Sequence, residues 1–305
     1  MPNNAAIIGA RSTEHGARST EHGARSTEHE PIHVIISHDV DHLYVTSRLY
    51  VRALYRLLTG KYSPRRFCED ISHYLSRTIH NKKIINNIDA LMDFDRAHCV
   101  KATYFFGMNQ GLGLTYHPKD AKPFIERVKA AGFDAGVHGI VFDDFDGMKS
   151  ERNTWADLMG TPPDCIRNHY VRFDSKTFER MSQLGYVYDS TEFDKAAQCT
   201  IKAPYKVGNM WEFPLNIMDG YLHPRNILDY RATAEGMKSE TLRIIGELRS
   251  KGINYLTVLF HDPGFCEHVR PYMDWYKWLI SYVEETPGFE FVSYREAIAQ
   301  LEAKS

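Results

Sequence analysis

Short apolar runs that end in ionisable groups recur along this chain, and segments with helical spacing separate them. His33-Val34-Ile35-Ile36 runs directly into Ser37-His38-Asp39-Val40-Asp41-His42, and its unbroken apolar character predicts a strand buried on both faces. From 43 to about 97 the pattern is helical. Residues 101–106 are the next predicted strand, followed by a helix at 119–131 that closes at Gly132, and 133–137 form a third strand running into His138. Further strands are predicted to end at Ile166, at Tyr188, near Leu215, at Phe260 and at Val292, with helices around 150–160, 174–184, 232–250, 270–285 and 294–303. Alternating β and α elements imply a parallel sheet or barrel.

The groups of chemical interest follow these strands. Asp39 and Asp41 follow the first, His138 the third, Arg167, Asn168 and His169 the fourth, Asp189 the fifth, and His261 with Asp262 a late one. In a barrel of parallel strands such positions converge on one face. Two carboxylates and two imidazoles crowded into residues 37–42 repel one another unless a cation or a substrate proton relieves them, which predicts a metal site with an adjacent base. The competing reading is a polar loop in which Asp39 caps a helix and the histidines face solvent.

Composition narrows the class without naming it. The 305 residues suffice for one large α/β domain, and no Pro/Ser/Gly-rich linker divides them. A formal net charge of -2 gives no reason to expect nucleic acid. Five widely spaced cysteines without a Cys-x-x-Cys pair fit a reducing compartment, and no secretory signal or membrane-length apolar run is visible, so a cytoplasmic protein is expected. Residues 9–29 are three copies of Gly-Ala-Arg-Ser-Thr-Glu-His, with alanine the only apolar residue per repeat. Residues 1–31 are therefore expected to be a disordered tail, with His15, His22 and His29 solvated, ahead of a domain over 32–305.

The ordered set of motifs resembles the polysaccharide deacetylase family, the NodB-homology group also called carbohydrate esterase family 4. The resemblance rests on Asp39-Val40-Asp41, on His138, on Arg167-Asn168-His169-Tyr170 and on Leu259-Phe260-His261, and it covers most of 33–300. It implies a distorted (β/α)7-type barrel with a helical insertion at about 43–97. It further implies a hydrolase in which Asp39 is general base, Asp41 and His138 are metal ligands, and His261 is the acid that protonates the departing amine. Arg167 would pair with Asp39, and the Tyr170 backbone N–H would share the oxyanion with the metal. A carboxylate, Asp189 first, would keep His261 cationic.

The family's second motif is His-x-x-x-His, whereas this chain has His138-Gly-Ile-Val-Phe142, so one metal histidine is missing. The third motif, usually Arg-Pro-Pro-Tyr, carries His169 instead. A catalytic zinc ordinarily has three protein ligands and one open position, so His169 is expected as the replacement ligand, with Asp143, Asp144 and His42 as competitors. A divalent metal, Zn²⁺ by default, would then activate water for hydrolysis of an acetamide. The motif variants also resemble a branch associated with O-antigen and cell-surface glycan biosynthesis, which implies an N-acetylated sugar, free or lipid-linked, as substrate. The alternatives are a metal-free glycan-binding protein and a hydrolase of a nucleotide-linked sugar or small amide.

Residues 43–66 hold six basic side chains and no acidic one, with Arg48, Arg52 and Arg56 at four-residue spacing. Such a helix suits either a solvated basic face or an anionic membrane surface, the inner membrane for a cytoplasmic protein.

Overall fold

In a computed structural model the described residues are 30–82, 84–222 and 233–304, and the repeat region with its three histidines lies outside them. β1 (Ile32–Val40) is followed by three helices, α1 (Ser47–Leu58), α2 (Pro64–His80) and α3 (Ile88–Ala97), before β2 (Thr103–Gly107). The alternation then runs α4 (Pro118–Ala130), β3 (Asp134–Gly139), α5 (Phe145–Met159), β4 (Cys165–Asn168), α6 (Thr177–Gln183) and β5 (Tyr188–Asp189). Three short strands follow, β6 (Tyr205–Val207), β7 (Met210–Glu212) and β8 (Ile217–Met218). The chain ends with α7 (Ala234–Ser250), β9 (Tyr255–Leu259), α8 (Arg270–Glu285), β10 (Phe289–Phe291) and α9 (Tyr294–Ala303).

The sheet order is β6-β7-β5-β4-β3-β2-β1-β9-β8, with β10 paired to β1. Every pairing is parallel except β6 with β7. Residues 213–216 run from β7, next to the edge strand β6, to β8 at the other edge, with Phe213 N–H bonded to Asp189 O and Asn216 N–H to Thr257 O. A single stretch of chain thus closes the curled sheet into a distorted barrel.

All nine residues of β1 are buried, as a strand covered on both faces requires. Alternation divides them. Val34, Ile36 and Val40 join the core under the helices, together with Phe106, Ile125, Val258 and Leu279. Ile35 faces the barrel interior with Phe105, Tyr188, Phe213 and Tyr255, and α9 plugs the bottom through Tyr294 and Ala297. Each of these aromatic side chains contributes roughly 1.5–3 kcal/mol by leaving water. Above this apolar plug the interior becomes polar, and there the motif residues lie.

Candidate metal and catalytic centre

Strand register sets the height of each group. Asp39 stands opposite Phe105, so Asp41 is level with Gly107, which pairs with His138, which pairs in turn with Arg167. On the other side Ser37 pairs with Leu259, which brings Asp39 level with His261. Asp39 and Asp41, two residues apart, point to the same interior face. His38, of the opposite parity, points outward and contacts Phe260 O at 2.9 Å and Asp95 Oδ2 at 3.0 Å.

Asp41, His138 and His169 converge. His138 Nε2 lies 2.9 Å from His169 Nδ1, and each of these nitrogens lies 3.3 Å from Asp41 Oδ1. The remaining ring nitrogens face carbonyl oxygens, His138 Nδ1 that of Arg167 and His169 Nε2 that of Leu112, both at 3.0 Å. A carbonyl can only accept, so those nitrogens carry the protons and the converging ones present lone pairs. Two lone pairs and a carboxylate oxygen aimed at one point are mutually repulsive without a cation. Ligands bound at about 2.05 Å in a tetrahedron are separated by about 3.3 Å, close to the triangle observed.

Local backbone supports this arrangement. Tyr170 adopts a left-handed φ of 58°, and its ring lies 3.9 Å from that of His169. Leu112, whose carbonyl orients His169, is followed by Gly113 at φ +111°, where a Cβ would fall 3.0 Å from Tyr170 Oη. The competing third ligands lie apart. Asp144 caps α5 by accepting from Gly147 N–H at 2.8 Å, and Asp143 is exposed. His42 bonds Thr115 Oγ1 at 3.1 Å, and burial lowers its pKa to about 4. Phe142, where the family pattern has histidine, packs under the Arg172 guanidinium at 4.7 Å. The loop before it is held by Glu151, whose carboxylate accepts from the N–H groups of Ile140 and Val141.

Arg167 is wholly buried and each arm has a partner. Nη1 donates to Asp39 Oδ1 at 3.1 Å, Nε to Ser190 O at 2.7 Å and Nη2 to Tyr294 Oη at 3.0 Å. Burial disfavours its charge, but Asp39 outweighs burial and raises its pKa. Asp39 Oδ2 stands 3.7 Å from His138 Nε2, so its second oxygen faces the ligand cluster.

The expected partnership of Asp189 with His261 is corrected. His261 Nδ1 is 2.7 Å from Asp219 Oδ1, and its backbone N–H donates to Asp219 Oδ2 at 2.8 Å. Burial opposes the charge on His261, but Asp219, with Asp41 and Asp39 beyond it, pushes the pKa up to about 10. Sheet order is the reason: β8 ends at Met218 beside Leu259, whereas Asp189 lies at the end of β5, between β4 and β7. There Asp189 accepts from Thr191 Oγ1 at 2.6 Å and adjoins Glu212, and burial raises the pKa of both carboxyl groups. Asp219 carries the same strand-end signal as Asp189, so the missing information was adjacency.

No protein-family model matches the chain, and no curated protein matches it by sequence. Solved structures do. A protein described as a polysaccharide deacetylase from Mycobacterium smegmatis superposes with a TM-score of 0.60 at 14% identity, covering 91% of this chain and 92% of that one. PuuE allantoinase gives 0.59 at 12% identity over 89% and 91%, and a protein described as a polysaccharide deacetylase from Pseudomonas aeruginosa PAO1 gives 0.53 at 15% over 88% and 90%. The chain therefore has the distorted (β/α) barrel, the NodB-homology fold, of the polysaccharide deacetylases.

Proposed function

We propose that this protein is a metal-dependent hydrolase that removes the acetyl group from an N-acetylated sugar during assembly of a surface polysaccharide such as O-antigen. The observation that carries the reading is the convergence of two imidazole lone pairs and the Asp41 carboxylate beside an arginine-held Asp39 and across from a carboxylate-held His261. Two nitrogens and one carboxylate oxygen suit Zn²⁺, which when bound would acidify a water and polarise the acyl oxygen.

The chain's own groups supply the proton traffic. Arg167 occupies Asp39 Oδ1 and leaves Oδ2 to accept a proton from the attacking water. The left-handed turn at Tyr170 presents its N–H to the oxyanion. His261 Nδ1 is committed to Asp219, which leaves Nε2–H to protonate the departing nitrogen. The products are acetate and a free amine.

Acetate release from free, nucleotide-linked and lipid-linked N-acetyl sugars, before and after chelation, tests this reading. Chelator-sensitive activity on sugars is expected. Turnover only of small non-sugar amides would move the substrate class, and a protein that takes up no divalent ion would end the hydrolase reading. A lipid-linked acceptor is favoured by the basic segment after β1 and would place the protein on the cytoplasmic face of the inner membrane.

A further inference from the structure

The helical pair α1–α2 carries an apolar face that no part of the described structure covers. On α1, Val51 is 66% and Leu58 76% exposed, with Leu54 and Tyr55 exposed between them. These positions, i, i+3, i+4 and i+7, form one stripe, and the opposite side of the helix is buried through Leu49 and Ala53. On α2, Leu75 and Ile79 are also exposed, Ile79 at 70%. The usual logic of a surface helix is inverted here, since α1 is apolar on its inner and outer sides alike.

The two stripes share a face. Tyr50 packs edge-on against Tyr74 with ring centroids 5.5 Å apart and reaches Thr78, which fixes the line along which the antiparallel helices touch. At about 100° per residue, Leu54, Leu58 and Val51 turn from that line on α1 in the same sense as Leu75 and Ile79 on α2. In an antiparallel pair this brings both stripes to the same side. Beside them stand Arg48, Arg52 and Lys61, which pair with no carboxylate among the described residues. Residues 43–66 contain no acid at all.

An apolar stripe flanked on α1 by cations that no carboxylate neutralises matches a bilayer of anionic lipids, whose surface attracts the cations while its acyl boundary takes the apolar side chains. No described helix is long and apolar enough to cross a membrane, so the contact is lateral. We propose that the α1–α2 pair is a peripheral docking surface for an anionic membrane. α1 starts at Ser47, six residues after Asp41, and Arg48 lines a cavity of about 350 Å³ with Gln110, Leu114 and Thr115, the last of which holds His42. The docking helix thus begins beside the loop that carries Asp41 and His42.

Co-sedimentation of the full chain with vesicles tests the proposal, using phosphatidylcholine mixed with phosphatidylglycerol against phosphatidylcholine alone. Binding is expected to the mixed vesicles only and to weaken as salt rises. Leu54→Glu/Leu58→Glu should lower it more than tenfold, and Arg52→Glu/Lys61→Glu should abolish the preference for anionic lipid. Unchanged thermal melting of both variants would show that the barrel is intact. Asp39→Asn should bind as the unaltered protein does, which separates this surface from the proposed chemistry. No binding by the unaltered protein, or equal binding by the Leu54/Leu58 variant, overturns the proposal. A dimer in solution that Leu58→Glu dissociates, with no vesicle binding, also overturns it, because the face then belongs to a second copy of the chain.

Discussion

Replacing Asp219 with Asn should uncouple His261 from its charge while leaving the centre's volume unchanged. Asp219 Oδ1 meets His261 Nδ1 at 2.7 Å and also accepts from Gly220 N–H at 2.6 Å, while Oδ2 takes the backbone N–H of His261. An amide cannot accept at both positions and carries no charge. The His261 pKa should then fall from about 10 towards its ordinary 6.5. A general acid works only while protonated, so activity that depends on it is present below its pKa and lost as pH rises through it. At pH 8 a pKa of 10 leaves about 99% of His261 protonated, whereas one of 6.5 leaves about 3%, a loss of roughly thirtyfold. A cation at Asp41 would cancel part of that residue's push on His261, which leaves Asp219 the larger share. The assay is the pH profile of kcat for acetate release by both proteins, with melting curves to confirm folding. The alkaline limb should move down by about three and a half units in the variant, the shift just worked out. An unmoved limb would refute the argument, as would an Asp189→Asn variant that shifts the limb as far.

His169→Ala should weaken divalent-metal binding by about a hundredfold or more, since it removes one of three donors; calorimetric titration with Zn²⁺ reads this, and unaltered affinity would exclude His169 as ligand. Asp39→Asn should retain metal yet lose about 10²–10⁴-fold in kcat, whereas loss of metal and activity together would make Asp39 a ligand. Arg167→Leu leaves Asp39 buried without its cation and should cost about 3–5 kcal/mol of stability in urea unfolding. Burial raises the Glu151 pKa to about 7, so folding favours its protonated form. Its contribution is fully present below pH 4.5 and fades as pH rises to about 7, by about 3 kcal/mol. Glu151→Gln should remove that fraction of the pH dependence, and parallel stability curves for the two proteins would contradict it.

Elements whose boundaries follow from local pattern are legible in the sequence. The helices expected at 270–285 and 294–303 occupy those residues, and the apolar runs of β1, β2 and β3 read directly as strands. Short β6, β7 and β8 were less visible, because two or three residues hold no periodicity and the single strand expected near Leu215 is in fact two strands, β7 and β8, near opposite ends of the sheet order. Strand-end acids and histidines could be collected from the sequence, but pairing among them needs the spatial order of strands. That is why the strand-end carboxylate read from the sequence as the partner of His261 is Asp189, whereas the structure places Asp219 there. Similarly, the basic spacing of α1 could be read, but not its exposed apolar stripe. Which of two apolar sides meets the barrel depends on α2 and on the turn after β1.

The parity of β1 bears on how this chain can vary. The strand is a wall one residue thick between two buried pairs, His38 with Asp95 on the helix side and Asp39 with Arg167 on the barrel side. Asp95 also gathers the hydroxyls of Tyr104 and Tyr276, so each side of the wall is matched to one particular occupant. Deleting or inserting a single residue between Val34 and Ser37 would swap the occupants, driving a carboxylate against Asp95 and an imidazole against Arg167. Substitutions can accumulate along this strand one at a time, but changes of its length cannot, and descent with insertions must be confined to the loops beyond Asp41.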